Sequence, residues 1–256
     1  MLLPKIITIT TENIDKEHIC CAIGDKKHEK GLFAKKEWIK KRLKDGFVFK
    51  KADVRGKAFI QYVPAENAWA PIKADGYMFI ECFWVAGQFA GKGIGKALLE
   101  ECKNDSKDMK GIVTIVGNKK KPYLNDKAFL KKIGFEVCDA SNPYFELMVY
   151  KNNLKSENPV IKKCAKVLTT EHKNGILLYY SNACPFTEYY KSETERLTKE
   201  KGMKIKVIKI ETKEDAQNAP IPFTINAVFN NGNFVCHEML TETKFKKVME
   251  GVCTIC

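Results

Sequence analysis

The chain's 256 residues are 45% hydrophobic and 29% charged, with a formal charge of +13; at roughly 150 residues per domain they suffice for one or two cores. That apolar content excludes disorder, and no stretch approaches the ~18 uncharged apolar residues of a membrane span. The positive excess is spread, with 27 Lys/Arg against 19 Asp/Glu in residues 1–150 and 17 against 12 in 151–256, and only Arg42, Arg55 and Arg196 are arginines. Arginine forks dominate nucleic-acid sites, so no nucleic-acid partner is expected, whereas a small polyanionic ligand would be attracted.

Lys5–Thr10, rich in Ile and Thr, predicts an opening strand. A helix over Ile14–Ala22 follows, capped by Asn13 or Thr11. Apolar residues at helical spacing predict a second helix over Gly31–Leu43, stopped by Gly46. Strands are expected at Phe47–Lys51, Lys57–Val63 and Tyr77–Val85, then a glycine cluster opening a helix at Gly95–Asp105. Gly111–Val116 reads as a strand, Asp126–Ile133 as a helix, and Phe135–Asp139 and Tyr144–Tyr150 as strands. This order implies an α/β domain with a mixed sheet over residues 1–150. Residues 151–173 are polar and lysine-rich and read as a linker with one helical turn. A small α/β domain over 174–256 then has strands at Ile176–Ser181, Lys204–Ile210, Thr224–Phe229 and Asn233–His237. Helices at Phe186–Lys201 and Thr241–Gly251 complete it, with a hairpin turn at Asn231-Gly232.

Ten cysteines are present. Cys82, Cys102 and Cys138 fall at core-type positions, where free cysteine serves as a small hydrophobe. Met1–Lys5 is too short an apolar start for a secretory signal, so a reduced, cytoplasmic protein is expected.

The most informative stretch is Gly87-Gln88-Phe89-Ala90-Gly91-Lys92-Gly93-Ile94-Gly95-Lys96, where a strand runs through glycines into a helix. Glycines let successive N–H groups converge, and a helix N-terminus favours negative charge, so this is a pyrophosphate cradle. The dinucleotide fingerprint fails, because the sixth position from Gly91 is Lys96. The P-loop fails too, because Ala90 and Ala97 replace a glycine and the Ser/Thr. Ala90-Gly91-Lys92-Gly93-Ile94-Gly95 instead resembles the acetyl-CoA loop of the GNAT N-acetyltransferases. Ile80–Val85 looks like that family's fourth strand, and Asn125-Asp126-Lys127-Ala128 with Gly134-Phe135 is similar to its Asn-x-x-Ala…Gly-Phe segment.

The resemblance implies a GNAT-type mixed-sheet domain and an acetyl-CoA-dependent N-acetyltransferase, in which a small-molecule amine attacks the thioester directly in a ternary complex. The cofactor contacts it implies are Phe83, Trp84, Val85, Ala90, Gly91, Lys92, Gly93, Ile94, Gly95, Lys96, Asn125 and Ala128; no metal is implied. Glu81 stands where some members carry a general base, His18 lies near where the family builds its acceptor site, and Trp69 is a candidate lining of that site. Two departures stand out. Ala90 replaces the residue that usually starts the loop, and Leu130 replaces the tyrosine that often protonates the leaving thiolate, leaving Tyr144 or Tyr123 as candidates.

In the C-terminal part, Cys184-Pro185-Phe186-Thr187 puts a cysteine between a strand and a helix. There a helix N-terminus stabilises a thiolate. This resembles the active-site turn of thioredoxin-like proteins, with Thr187 in place of a second cysteine and Ile221-Pro222-Phe223-Thr224 similar to their cis-proline segment. The two-part layout resembles GNAT acetyltransferases with a YoaP-like C-terminal domain. Two alternatives remain open: a CoA-binding module without turnover, and thiol exchange or capture at Cys184, with Cys253 and Cys256 as a candidate thiol pair.

Overall fold

The computed structural model describes residues 3–19 and 21–249. Cys253 and Cys256 lie outside the described residues. The chain divides into two compact units, one made of Met1–Ile23, Ile39–Ala68 and Ile72–Ile161, the other of Gly24–Trp38, Trp69–Pro71 and Lys162–Cys256.

The first unit is built on β1 (Ile6–Thr8), β2 (Val48–Ala52), β3 (Ala58–Pro64), β4 (Ile72–Lys73), β5 (Tyr77–Val85), β6 (Gly111–Gly117), β7 (Glu136–Ser141), β8 (Phe145–Lys151) and β9 (Val160–Ile161). Its helices are the C-terminal end of α1 (Glu29–Arg42), then α2 (Ile94–Asp105) and α3 (Lys127–Lys132). Seven strands form one sheet in the order β1-β2-β3-β5-β6-β8-β7, antiparallel throughout except for the central β5–β6 pair. All seven residues of β6 are buried, as expected of a β-branched strand covered on both faces.

One core cluster gathers Ile60, Tyr62, Met78, Ile80, Ile112, Val116 and Met148 from the sheet with Leu98, Leu99 and Cys102 of α2 and Leu130 of α3. Burying each large side chain of this set contributes about 1.5–3 kcal/mol.

Two sequence expectations need correction. Residues 11–16 form turns, not the start of a helix. The Asn13 side chain accepts from Thr10 N at 2.8 Å and donates to Thr8 O at 2.8 Å, folding the segment back on the preceding strand. The stretch 151–173, read from its polarity as a linker with one helical turn, has such a turn at Lys163–Ala165 but also carries β9, which pairs with β4. Ile161, Ala165 and Leu168 of this stretch are buried, which its lysine-rich composition conceals, whereas Leu154, Val160 and Val167 are exposed.

The second unit has β10 (Ile176–Tyr180), β11 (Ile205–Lys209), β12 (Asn226–Asn230) and β13 (Asn233–Cys236), with α4 (Thr187–Glu200), α5 (Lys213–Gln217) and α6 (Glu242–Met249). The sheet order is β11-β10-β12-β13, with β10–β11 parallel and the other pairs antiparallel. Asn231 and Gly232 both have positive φ, 50° and 84°, as a two-residue hairpin turn demands. Ile176, Leu178 and Val228 of the sheet pack with Leu197 of α4 and Phe245 of α6. Among the described residues, no helix is long and apolar enough to cross a membrane.

Candidate active site

β5 and β6 pair only over Tyr77–Ile80 and Gly111–Thr114, although β6 continues against β8 as far as Gly117. The cause of the divergence is local. Across β3, Gln61 faces Cys82 and Tyr62 faces Ile80, so Glu81 is an extra residue, a β-bulge. The bulge shifts the alternation of β5: Met78 and Ile80 point to the α2 side before it, Phe83 and Val85 after it.

Asn125 bridges the two strands where the gap opens. Its Oδ1 accepts from Phe83 N at 2.8 Å, and its Nδ2 donates to Thr114 Oγ1 at 2.7 Å. Thr114 in turn donates to Ile80 O at 2.8 Å. By strand alternation the Val85 peptide faces the same gap as Phe83.

The glycine cluster lies at the end of β5. A 3-10 turn, Gly87–Phe89, leads into Gly91 and Gly93, whose φ values of 75° and 78° belong to the left-handed region. A Cβ on Gly91 would meet nothing within 4 Å, and one on Gly93 only Leu3 Cδ2 at 3.4 Å. Gly93 caps α2 without a side-chain hydrogen bond. The helix thus begins with N–H groups that no side chain of the cap satisfies, beside the exposed Lys92 and Lys96. Such an end accepts an anion, and the open space suits a pyrophosphate. Gly95 closes the cradle's inner side, where Phe83, Val85 and Phe129 approach its Cα face. Ala90 and Ala128 are exposed, Ile94 is buried in the core, and Trp84 is 46% exposed.

Leu130, in the position of the family's tyrosine, is 1% exposed and belongs to the core cluster. Tyr144 is buried as well, with Lys121 Nζ over its ring at 4.3 Å. Tyr123 adopts φ 66°, an uncommon conformation for a side chain that is not glycine.

Glu81 is held by a residue that sequence reasoning passed over. Arg42 Nη1 donates to both Glu81 carboxylate oxygens, at 2.6 and 2.8 Å, and the two side chains are 2% and 7% exposed. The only available signal was that Arg42 is one of three arginines in a lysine-rich chain. His18 has both ring nitrogens engaged: Nδ1 lies 3.1 Å from Lys51 Nζ and Nε2 lies 2.9 Å from Gly56 O. Because the lysine donates and the carbonyl accepts, the ring carries its proton on Nε2. Lys51 also donates to Glu17 Oε2 at 2.6 Å, so this group ties the 17–18 segment to β2.

Trp69 and Cys184 fall in the second unit. Trp69 meets Trp38 edge-on, with ring centroids 5.4 Å apart. Cys184 is half-buried just before α4. Thr187 Oγ1 lies 2.7 Å from Cys184 O and 2.8 Å from Ser181 O, fastening the turn where a second cysteine would stand. Gly31 packs so closely on this turn that a Cβ there would lie 1.9 Å from Pro185 O. Among the described residues the cis peptide is Asn142–Pro143, and Ile221–Pro222 is trans, unlike the segment it resembles. Burial pushes the Cys138 and Cys236 thiols up to about 12, so neither is a ready thiolate.

The GNAT acetyltransferase domain family matches residues 47–137, and the YoaP-like family matches residues 204–247. The uncharacterized N-acetyltransferase YoaP of Bacillus subtilis (strain 168) is 40% identical over 245 residues, 95% of this chain and 97% of its own length. Among solved structures, PH1933 of Pyrococcus horikoshii OT3 is similar at 20% identity over 59% of this chain and 100% of its own, with a TM-score of 0.42. The PaiA N-acetyltransferase of Thermoplasma acidophilum, in complex with coenzyme A, is similar at 17% identity over 57% and 99%, with a TM-score of 0.39. The glycine cradle, the gap beside β5 and a full-length relative lead to one assignment: the chain belongs to the GNAT family of N-acetyltransferases, with a YoaP-like C-terminal region.

Proposed function

We propose that the chain binds acetyl-CoA between β5 and β6 and transfers the acetyl group to the amine of a small molecule within a ternary complex. The observation that carries this reading is the gap held open by Asn125 beside the uncapped N-terminus of α2. Gly91, Gly93 and the first N–H groups of α2 would receive the pyrophosphate, with Lys92 and Lys96 adding charge. The Val85 peptide would pair with the pantetheine arm. Acetyl-CoA, when bound, supplies a thioester carbon open to attack by nitrogen. Glu81 serves as the base that takes the amine's proton. His18, with both nitrogens engaged, serves to anchor the turn around Gly56. Tyr123 and Tyr144 are the candidates for returning a proton to the thiolate, since Leu130 cannot.

Thermal stabilisation by CoA, acetyl-CoA, NAD and ATP tests the cofactor. Binding to the folded state adds about 2.7 kcal/mol at a hundredfold excess over Kd. A shift with the CoA species alone is expected, followed by CoA release in an amine panel; no shift with CoA would overturn the reading.

A second reading rests on Cys184, half-buried ahead of α4 with its carbonyl fastened by Thr187. Here residues 174–256 form a thioredoxin-like domain that captures a thiol-reactive group, and the parallel β10–β11 pair flanked by antiparallel β12 supports it. Cys102 and Cys236, free thiols buried in the two cores, fit a reduced, cytoplasmic setting. Unchanged reaction of Cys184→Ser with a disulfide probe would remove this reading.

A further inference from the structure

Arg42 closes α1, and its guanidinium is braced from several sides. Phe47's ring lies 4.9 Å from it, and Nη2 donates to Asn67 O at 2.9 Å. Asn67 in turn donates to Asp45 O at 2.9 Å, so the bend after α1 and the 3-10 turn Ala65–Asn67 support one another. The remaining end of the guanidinium grips Glu81, the bulge residue of β5.

Burying two charges is a poor way to gain stability, because a well-packed apolar pair of similar volume often does as well or better. What an immobile cation does supply is a fixed orientation of the carboxylate.

We propose that Arg42 is a positioning residue for acetyl transfer, holding Glu81 in one orientation to receive the acceptor's proton. This rests on the reading of Glu81 as the base. The acceptor arrives as an ammonium and gives one proton to Glu81. Its freed lone pair forms the C–N bond to the thioester carbonyl carbon, and the C–S bond breaks. The second proton leaves the nitrogen and ends on the departing thiolate, while Glu81 returns its proton to solvent.

The test compares full-length Glu81→Gln, Arg42→Gln, Arg42→Lys and the Arg42→Gln/Glu81→Gln double variant. CoA release is followed from acetyl-CoA with whichever of spermidine, tyramine, ethanolamine or lysine amide reacts fastest, water being the reference acceptor. Each variant is first checked for folding and for stabilisation by CoA. Glu81→Gln is expected to lose about 10²–10³ in kcat with KM for acetyl-CoA unchanged. Arg42→Gln should lose a similar factor, Arg42→Lys should recover part of it, and the double variant should be no slower than Glu81→Gln alone. The double variant buries no unpaired charge, so it serves even where Arg42→Gln fails to fold.

Losses that multiply in the double variant, or an Arg42→Lys variant no better than Arg42→Gln, would overturn the role of Arg42 and leave Glu81 as base. An undiminished kcat in Glu81→Gln would overturn the base assignment itself.

Discussion

The carboxamide of Asn125 accepts from the backbone N–H of Phe83 at 2.8 Å, taking the place that a neighbouring strand would otherwise fill. Its other end reaches Thr114 on β6, so one side chain spans the two strands where they part. The gap is therefore a built feature: where the strands part, the Phe83 N–H and the Ile80 carbonyl are satisfied by side chains, and the Val85 peptide beyond them faces the gap.

Replacing Asn125 by Ala removes both bonds and leaves the Phe83 N–H without its partner. A loss of about 1–3 kcal/mol in stability is expected, since an orphaned donor costs more than a hydrogen bond returns. KM for acetyl-CoA should rise as well. Denaturant melts and initial rates measure the two effects, and a variant with wild-type stability would contradict the spanning role.

Gly93 and Gly95 should respond in opposite directions. Alanine at Gly93 must adopt φ 78° and is expected to destabilise by about 1–2 kcal/mol while reducing the thermal shift produced by CoA. Alanine at Gly95, inside α2 and with contacts of 3.5 Å or longer, is expected to be neutral or to gain about 0.5–1 kcal/mol. Paired thermal melts with and without CoA separate backbone strain from ligand contact.

Restoring the family's tyrosine by Leu130→Tyr is expected to fail. Leu130 is 1% exposed, so a hydroxyl and a ring must be forced into a filled core at a cost of about 1–3 kcal/mol. A lower melting temperature without a higher kcat is the predicted result. A faster enzyme would mean that the core opens toward the thioester.

His28 should give the second unit a pH dependence. The ring is 3% exposed and packed against Phe186 and Tyr189, and burial lowers its pKa from the usual 6.5, opposed in part by Asp25. The unfolded chain therefore binds the proton more readily. Stability is complete above the unfolded value and falls as pH drops below it. Melting curves at pH 7.5 and 5.5 should show a larger loss for the wild type than for His28→Phe.

Much of this was legible in the residues themselves. Tyr77–Val85 and the helix after Gly93 follow from β-branched and aromatic runs and from glycine punctuation, both local signals. The Asn125 segment was visible as a motif, but its partner was not, because Thr114 lies eleven positions away on a strand whose apolar run gives no hint of a polar contact. Arg42 and Glu81 stand 39 residues apart, and neither periodicity nor spacing links them. The 11–16 turns were misread because Asn13 suits a helix cap and a self-bonded turn equally well, and the choice is made by Thr8 and Thr10. Cys184 and Trp69 were assignable as residue types, yet their grouping in the second unit depends on chain returning from three separate stretches.

The odd residue in β5 also limits how this strand can change over generations. At its present length the strand needs Glu81 as the uncounted position for Phe83 and Val85 to reach the core. Deleting one residue between Ile80 and Phe83 would leave a regular ladder with Phe83 still opposite Ile60, so the two core residues would keep their side while the bulge is lost. The bulge can therefore be lost by deletion without turning the strand over, but not by regular pairing at unchanged length, which would turn Trp84 inward and Phe83 and Val85 outward.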